Sequence, residues 1–370
     1  MHPARVLAAL LIPAALHAQA RVDVPGSEQF TMKSRTNGIE YRIDAWAPPG
    51  WDTLTVRPSL FVVTDGNLFF QLIQGTYQAL ALGGEVSPIV VVGVSYPETD
   101  GPGFTPGYAA NRTRDLTPTN IAEMPGGGGG AAFLTFLKDE LVPFAEKRWR
   151  TDPTSRGLGG HSLGGLFSTY ALLHEPGLFS RVWIGSPSLW WDKQVAFSWV
   201  VPPSRLTSAP HGRAFVSVGA NESDVMVPPM RRMTAQLTST YPALHVGSQV
   251  FPDEGHGSVI VAAMSRALRY LYGNYGRPTV ALAPAARAGW AGTWVSPART
   301  VKIKPGATGL MLELTESGQT LAVPLQAASR DTMFSTGIAA EFVANRDASG
   351  RVTSLTGNLL GLKLPFTRRP

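Results

Sequence analysis

The chain has 370 residues, 44% apolar and 16% charged, a composition that excludes a disordered or fibrous protein and leaves room for one large core and one small one. Its formal charge of +6 is diffuse, with no dense Lys/Arg block, and so does not indicate a nucleic-acid partner. The absence of cysteine excludes disulfides, thiolate zinc sites and lipid attachment at a cysteine, and it suits an oxidising compartment.

Residues 1–20 have the form of a cleavable signal peptide. Arg5 supplies the positive start, Val6 to Leu16 is an apolar stretch too short to span a bilayer, and Ala18-Gln19-Ala20 is a small-residue cleavage site. The mature chain is then expected to begin at Arg21, in the periplasm or outside the cell. No later segment has the roughly 18 uninterrupted apolar residues of a membrane span, so none is expected in the mature chain.

Phe30 to Trp46 reads as a hairpin. Asn37-Gly38 is a favoured tight-turn pair, and Ile39, Tyr41, Ile43 and Ala45 then alternate with polar residues. Leu60 to Val63 and Ile89 to Val94 are short continuous apolar runs, the pattern of strands buried on both faces of a parallel sheet. Leu68 to Leu82 between them suits a crossover helix. Ala132 to Arg148 carries Phe133, Phe136, Leu137, Leu141 and Phe144 at helical spacing. Gly126 to Gly130 lacks the lysine and Ser/Thr of a phosphate-binding loop and reads as a flexible loop. Further on, Ala214 to Val218 and Val246 to Phe251 read as strands, Met230 to Tyr241 and Val259 to Tyr272 as helices. Strands alternating with helices imply a doubly wound α/β domain with a mostly parallel sheet.

Residues 277–289, rich in proline and alanine, read as a linker between an α/β domain (21–276) and a small antiparallel β-domain (290–370), a meander or partial barrel. In the latter Val301 and Ile303, then Leu310, Leu312 and Leu314, then Leu321, Val323 and Leu325 alternate with polar residues. It holds no histidine and is a poor candidate for chemistry.

The central motif is Gly160-His161-Ser162-Leu163-Gly164. A G-x-S-x-G pentapeptide is weak alone, but here a glycine-rich lead-in precedes it and a helical stretch, Leu163 to His174, follows. A serine on a sharp strand-to-helix turn needs small neighbours, and the amide of Leu163 then sits at a helix N-terminus, placed to stabilise an oxyanion. His256 is the candidate base. It lies late in the chain, between glycines, in the loop after the strand ending at Phe251, as the order Ser…acid…His requires. The acid should follow the strand ending at Val218; Glu222 is the first candidate and Asp224 the second, with a Ser–His dyad as the alternative. Asn67, in the turn after Leu60 to Val63, is the candidate second oxyanion donor.

At these residues the sequence resembles the putative-esterase group of α/β-hydrolases, which includes mycolyltransferases, S-formylglutathione hydrolases and feruloyl esterases. It is most similar to the enterochelin-esterase-like branch. The resemblance spans Phe30 to Tyr272. It is carried by Thr64-Asp65-Gly66, Arg114 to Thr119, Gly160 to Phe167, Ser186-Pro187-Ser188-Leu189-Trp190-Trp191-Asp192, Val218 to Glu222 and Glu254 to Val259. It implies Ser162 as nucleophile and His256 as base, and it favours Glu222 as acid. The activity implied is cleavage of a small-molecule ester, such as a siderophore trilactone or an aryl or acyl ester, through an acyl-serine intermediate, without a metal or organic cofactor. Trp190-Trp191 then suits either substrate stacking or core packing, and Arg112 and Arg114 suit either an acidic substrate group or an ion pair such as one with Asp115. Transfer of the acyl group to an alcohol other than water, and a non-catalytic scaffold binding through the β-domain, are the competing readings.

Overall fold

The computed structural model describes residues 24–369 except 55, 98–103, 307–308 and 317. The proposed signal peptide and its cleavage site lie outside the described residues. An eight-stranded sheet has the order β1-β2-β4-β3-β5-β6-β7-β8. β1 (Ser27–Lys33) and β2 (Glu40–Trp46) form the antiparallel hairpin expected around Asn37-Gly38, and β2 runs antiparallel to β4 (Ile89–Ser95). β3 (Ser59–Val63), β5 (Arg156–His161), β6 (Arg181–Gly185), β7 (Gly212–Gly219) and β8 (Leu244–Phe251) continue the sheet in parallel with β4.

The apolar runs explain the layering. Every residue of β3 and β4 is buried. On one face Phe61, Val63 and Val91 pack with α1 (Gly66–Leu82) and α8 (Val259–Tyr272). On the other, Leu60, Val62, Val90, Val92 and Leu158 pack with α2 (Pro106–Leu116), α3 (Gly130–Phe136), α4 (Val142–Trp149), α5 (Leu163–His174) and α7 (Val227–Thr240). A short turn, α6 (Trp191–Gln194), precedes α7. Each large apolar side chain buried this way contributes about 1.5–3 kcal/mol relative to exposure. Where the spacing predicts one helix from Ala132 to Arg148, α3 and α4 are joined by a π-helical turn, Leu137–Leu141. Pro143, at the start of α4, has no N–H for an i−4 bond, which accounts for the irregular turn just before it.

The five-glycine segment is not a loose loop. Gly126 and Gly127 amides donate to Asn120 Oδ1, and Gly128 N–H to Thr117 Oγ1. Gly129 N–H donates to the Arg114 carbonyl and Gly130 N–H to that of Thr117. A Cβ at Gly127 would overlap Thr117 Oγ1 and the Thr119 backbone, so glycine serves close packing here rather than freedom.

After α8 the chain leads through α9 (Pro284–Ala288) into a closed antiparallel barrel of eight strands, β9 (Gly292–Val295) to β16 (Leu362–Arg368), with no open edge. Val301, Ile303, Leu310, Leu312, Leu314, Val323 and Leu325 point inward as the alternation predicts, around fully buried Trp290, Trp294 and Phe342. Leu321, counted in that alternation, is instead exposed at the outer end of its long strand. The barrel docks against the end of the sheet where the parallel strands begin: Asn274 Nδ2 donates to the carbonyls of Ser335 (2.9 Å) and Ala340 (3.2 Å), and Ala339 N–H to that of Gly84. Among the described residues no helix is long and apolar enough to cross a membrane.

Candidate active site

β5 ends at His161, and α5 begins at Leu163. Ser162 between them has φ 62° and ψ −116°, a conformation that costs on the order of 1–3 kcal/mol for a non-glycine residue and persists only when its surroundings impose it. Those surroundings are visible. Ser162 N–H donates to the Gly185 carbonyl (2.9 Å), and the Ser162 carbonyl accepts from Leu166 N–H (3.0 Å) and Ser188 N–H (3.1 Å). The flanking glycines are required by contact: a Cβ at Gly160 or Gly164 would overlap Thr64 Oγ1, and one at Gly165 would overlap the Gly185 carbonyl. The turn after β3 and the turn after β5 therefore interlock.

A second pair of loops brings the acid and the imidazole together. Ala220 N–H donates to the Phe251 carbonyl (2.8 Å) and Asn221 N–H to that of Glu254 (2.9 Å). A Cβ at Gly219 would overlap the Glu254 carbonyl, so only glycine lets the two loops meet. His256 Nδ1 then lies 2.6 Å from Glu222 Oε2. A carboxylate only accepts, so the proton sits on Nδ1, and Nε2 is the nitrogen left for other work. The other Glu222 oxygen accepts from Ser186 Oγ (2.6 Å) and Gly219 N–H (2.8 Å). Burial alone would push this carboxyl up, but the bonds from His256, Ser186 and Gly219 outweigh it and hold its pKa below the usual carboxylate range.

Ser162, Glu222 and His256 line one cavity of about 510 Å³ together with Ser188, Trp190 and Met226. Ser162 Oγ is 3.4 Å from Ser188 Oγ and hydrogen-bonded with it rather than with His256. Asp224 is exposed and makes no bond to His256, so Glu222 is the carboxylate that the fold offers to the ring. Leu163 is buried at the start of α5; neither it nor Asn67 is among the residues lining this cavity. Asn67 lines a larger one, about 570 Å³, beside β1 and β2, which holds none of Ser162, Glu222 and His256. Its side chain pins the end of β4, with Nδ2 donating to the Tyr96 carbonyl (3.0 Å) and Oδ1 accepting from Tyr96 N–H (2.8 Å).

The two arginines are structural. Arg112 Nε pairs with buried Asp65 (2.8 Å) and its Nη2 donates to the His161 carbonyl (3.0 Å), while Arg114 grips Asp115 through two bonds of 2.8 Å. The tryptophans divide the two roles between them. Trp191 is fully buried, with Nε1 donating to Thr119 Oγ1 (3.1 Å), and Trp190 is half-buried at the cavity.

The family model described as "Putative esterase" matches residues 34–245, more than half of the chain. The chain belongs to the esterase family of α/β-hydrolases. Ferri-bacillibactin esterase BesA of Bacillus subtilis is 29% identical over 271 residues, which cover 67% of this chain and 90% of that protein. Siderophore enterobactin esterase of Emericella nidulans is 28% identical, over 62% of this chain and 89% of its own. The crystal structure of BES protein from Bacillus cereus superposes with a TM-score of 0.61 at 29% identity, covering 69% of this chain and 97% of that one. The family match ends before the barrel of this esterase begins.

Three residues around the candidate site have no role assigned to them by the sequence motifs. Ser186 holds Glu222 and has φ 36°, a strained value for a serine. Ser188 holds the Ser162 hydroxyl. Both lie in the Ser186-to-Asp192 stretch that marks the family, which was the available signal. His161 is buried with its ring centroid 4.5 Å from that of His256, and among the described residues neither of its ring nitrogens has a hydrogen-bond partner. Nothing in its position next to Ser162 in the sequence shows that it reaches the loop after β8.

Proposed function

We propose that this esterase is a serine hydrolase of the siderophore-ester class. It would act through an acyl-Ser162 intermediate, with His256 as general base and acid and Glu222 as the group that orients the imidazole. The observation that carries this reading is the 2.6 Å Glu222–His256 bond in the same cavity as a serine held on a strained elbow. Ester binding turns the Ser162 hydroxyl from Ser188 towards Nε2 of His256, which takes its proton as Oγ attacks the carbonyl. The Leu163 amide, at the helix start beside Ser162, receives the negative charge that develops on the carbonyl oxygen. His256 then protonates the leaving alcohol, and a water activated by the same ring releases the acid. The siderophore-ester class is supported by the activities of the bacterial and fungal relatives, and Trp190 offers an aromatic face to an aryl acyl group.

Ser162→Ala is expected to abolish hydrolysis of a short p-nitrophenyl ester with the fold intact, and a fluorophosphonate is expected to label Ser162 by peptide mass spectrometry. Undiminished turnover, or labelling elsewhere, would overturn the mechanism. Screening siderophore trilactones, feruloyl esters and simple acyl esters identifies the preferred ester, and product analysis with a competing alcohol separates hydrolysis from acyl transfer. We also propose export to the periplasm or the medium with cleavage after Ala20, for which the intact mass of the mature protein is the test.

A further inference from the structure

At the opposite end of the sheet from Ser162, three arginines converge on a cleft of about 180 Å³ between the esterase domain and the barrel. Arg181 opens β6, Arg213 lies at the start of β7, and Arg277 follows α8; Tyr272, Asn274, Glu341 and Asn358 also line it. Each guanidinium carbon lies over a ring: Arg181 5.4 Å from the centroid of Tyr272, Arg213 6.0 Å from that of Tyr270, Arg277 4.7 Å from that of Phe334. One edge of each is tied down. Arg181 donates through Nε to Ser155 Oγ (2.7 Å) and through Nη1 to the Leu271 carbonyl. Arg213 Nη1 donates to the carbonyls of Tyr270 (2.8 Å) and Gly273 (2.9 Å), and Arg277 Nη1 to Asn274 and Glu341.

Among the described residues this leaves Nη2 of all three arginines, and Nε of Arg213 and Arg277, without a hydrogen-bond acceptor. Three fixed cations face one carboxylate, Glu341, which Arg277 engages; Asp152 acts on Arg181 only from outside the cleft. Consistent with under-compensated charge, Arg213 is pushed below its ordinary range by burial and by the like charges of Arg181 and Arg277.

From this geometry we infer that the domain-junction cleft is an oxyanion site, sized for phosphate or sulfate, where a bound anion bridges the β6–β7 edge to the barrel. Pre-fixed guanidinium forks suit a tetrahedral oxyanion, and a ligand held by both domains stabilises their docked arrangement. The site lies away from the ester cavity, so its occupancy acts on stability rather than on the chemistry.

Thermal unfolding of the mature full chain, titrated with sodium phosphate or sulfate against chloride at constant ionic strength, tests this. A saturable rise in Tm is expected. The apparent affinity should fall at least tenfold in Arg277→Gln and in Asn358→Asp, which places a second carboxylate in the cleft, and should rise in Glu341→Gln, which removes one. Esterase turnover should be unchanged in all three. No saturable rise, or the same rise in wild type, Arg277→Gln and Asn358→Asp, as a general salting effect would give, overturns the site.

Discussion

Glu222 and His256 stand on loops after different strands, yet Glu222 Oε2 and His256 Nδ1 are 2.6 Å apart, with the carboxylate 1% exposed and the ring half-exposed. The carboxylate is braced from behind by Ser186 and Gly219, so it fixes one tautomer and one orientation of the imidazole. Glu222→Gln keeps the shape but puts a donor beside Nδ1–H. It is expected to lower kcat about 10³- to 10⁴-fold with little change in KM. Ser186→Ala removes one charge-assisted bond and should cost about tenfold. Asp224→Asn should leave turnover within about twofold, since exposed substitutions away from the site have small effects. Steady-state kinetics on a p-nitrophenyl ester checks all three, and equal losses in Glu222→Gln and Asp224→Asn would reassign the acid.

The Gly160 and Gly164 contacts with Thr64 lead to a second expectation. At Gly164 a Cβ would overlap Thr64 Oγ1, but the next atom, Asp65 Oδ2, is 3.3 Å away. At Gly160 it would overlap both Thr64 Oγ1 and the Gly164 backbone. Gly164→Ala should therefore destabilise by about 1–3 kcal/mol and be largely rescued by Thr64→Ala. Gly160→Ala should not be rescued, because backbone cannot be trimmed away. Denaturant midpoints of wild type, the three single variants and the two doubles with Thr64→Ala complete both double-mutant cycles.

Local pattern made much of this fold legible. Continuous apolar runs marked β3 and β4, Asn37-Gly38 marked the first hairpin, and glycine spacing around Ser162 marked the elbow, because each signal is confined to a few neighbouring residues. What was not legible depends on residues distant in the chain. The role of Gly126 to Gly130 turns on Thr117 and Asn120, so a run that composition reads as flexible is packed. Trp190 and Trp191 are adjacent yet go to cavity and core, and the positive φ of Asp192, Lys193 and Gln194 just after them leaves no helical period from which that division could be read. Closure of the barrel is likewise a pairing of β9 with β16, at opposite ends of the domain.

Asp65 is 1% exposed and anchors the Ser162 turn from the β3 side. Its Oδ1 accepts from Tyr108 Oη (2.6 Å) and Arg112 Nε (2.8 Å), while its Oδ2 has no hydrogen-bond partner among the described residues. Arg112→Met strands a buried charge and should cost about 3–5 kcal/mol, whereas Tyr108→Phe removes one donor to the carboxylate and should cost about 1.5–3 kcal/mol. Asp65→Asn combined with Arg112→Met should recover part of the first loss, since no unpaired charge is left. Urea unfolding distinguishes these outcomes, and near-equal losses in Arg112→Met and Tyr108→Phe would contradict a charge-dominated network.

His161 gives the esterase a specific acid sensitivity. Burial first, then the neighbouring His256, lowers its pKa from 6.5 to about 3, so the ring is neutral in the native state. The unfolded chain binds a proton at this residue below about pH 6.5 that the folded chain refuses until about pH 3. Stability from this group is therefore complete above pH 6.5 and lost progressively as the pH falls through that window. Between pH 7 and pH 5 the loss amounts to about 2 kcal/mol. His161→Phe, which fills the space between Phe69 and the His256 ring with a group that cannot titrate, should shrink the pH 7-to-5 difference in unfolding free energy by that amount. Urea titrations of wild type and variant at both pH values measure it. An unchanged difference would mean that His161 is protonated in the folded protein.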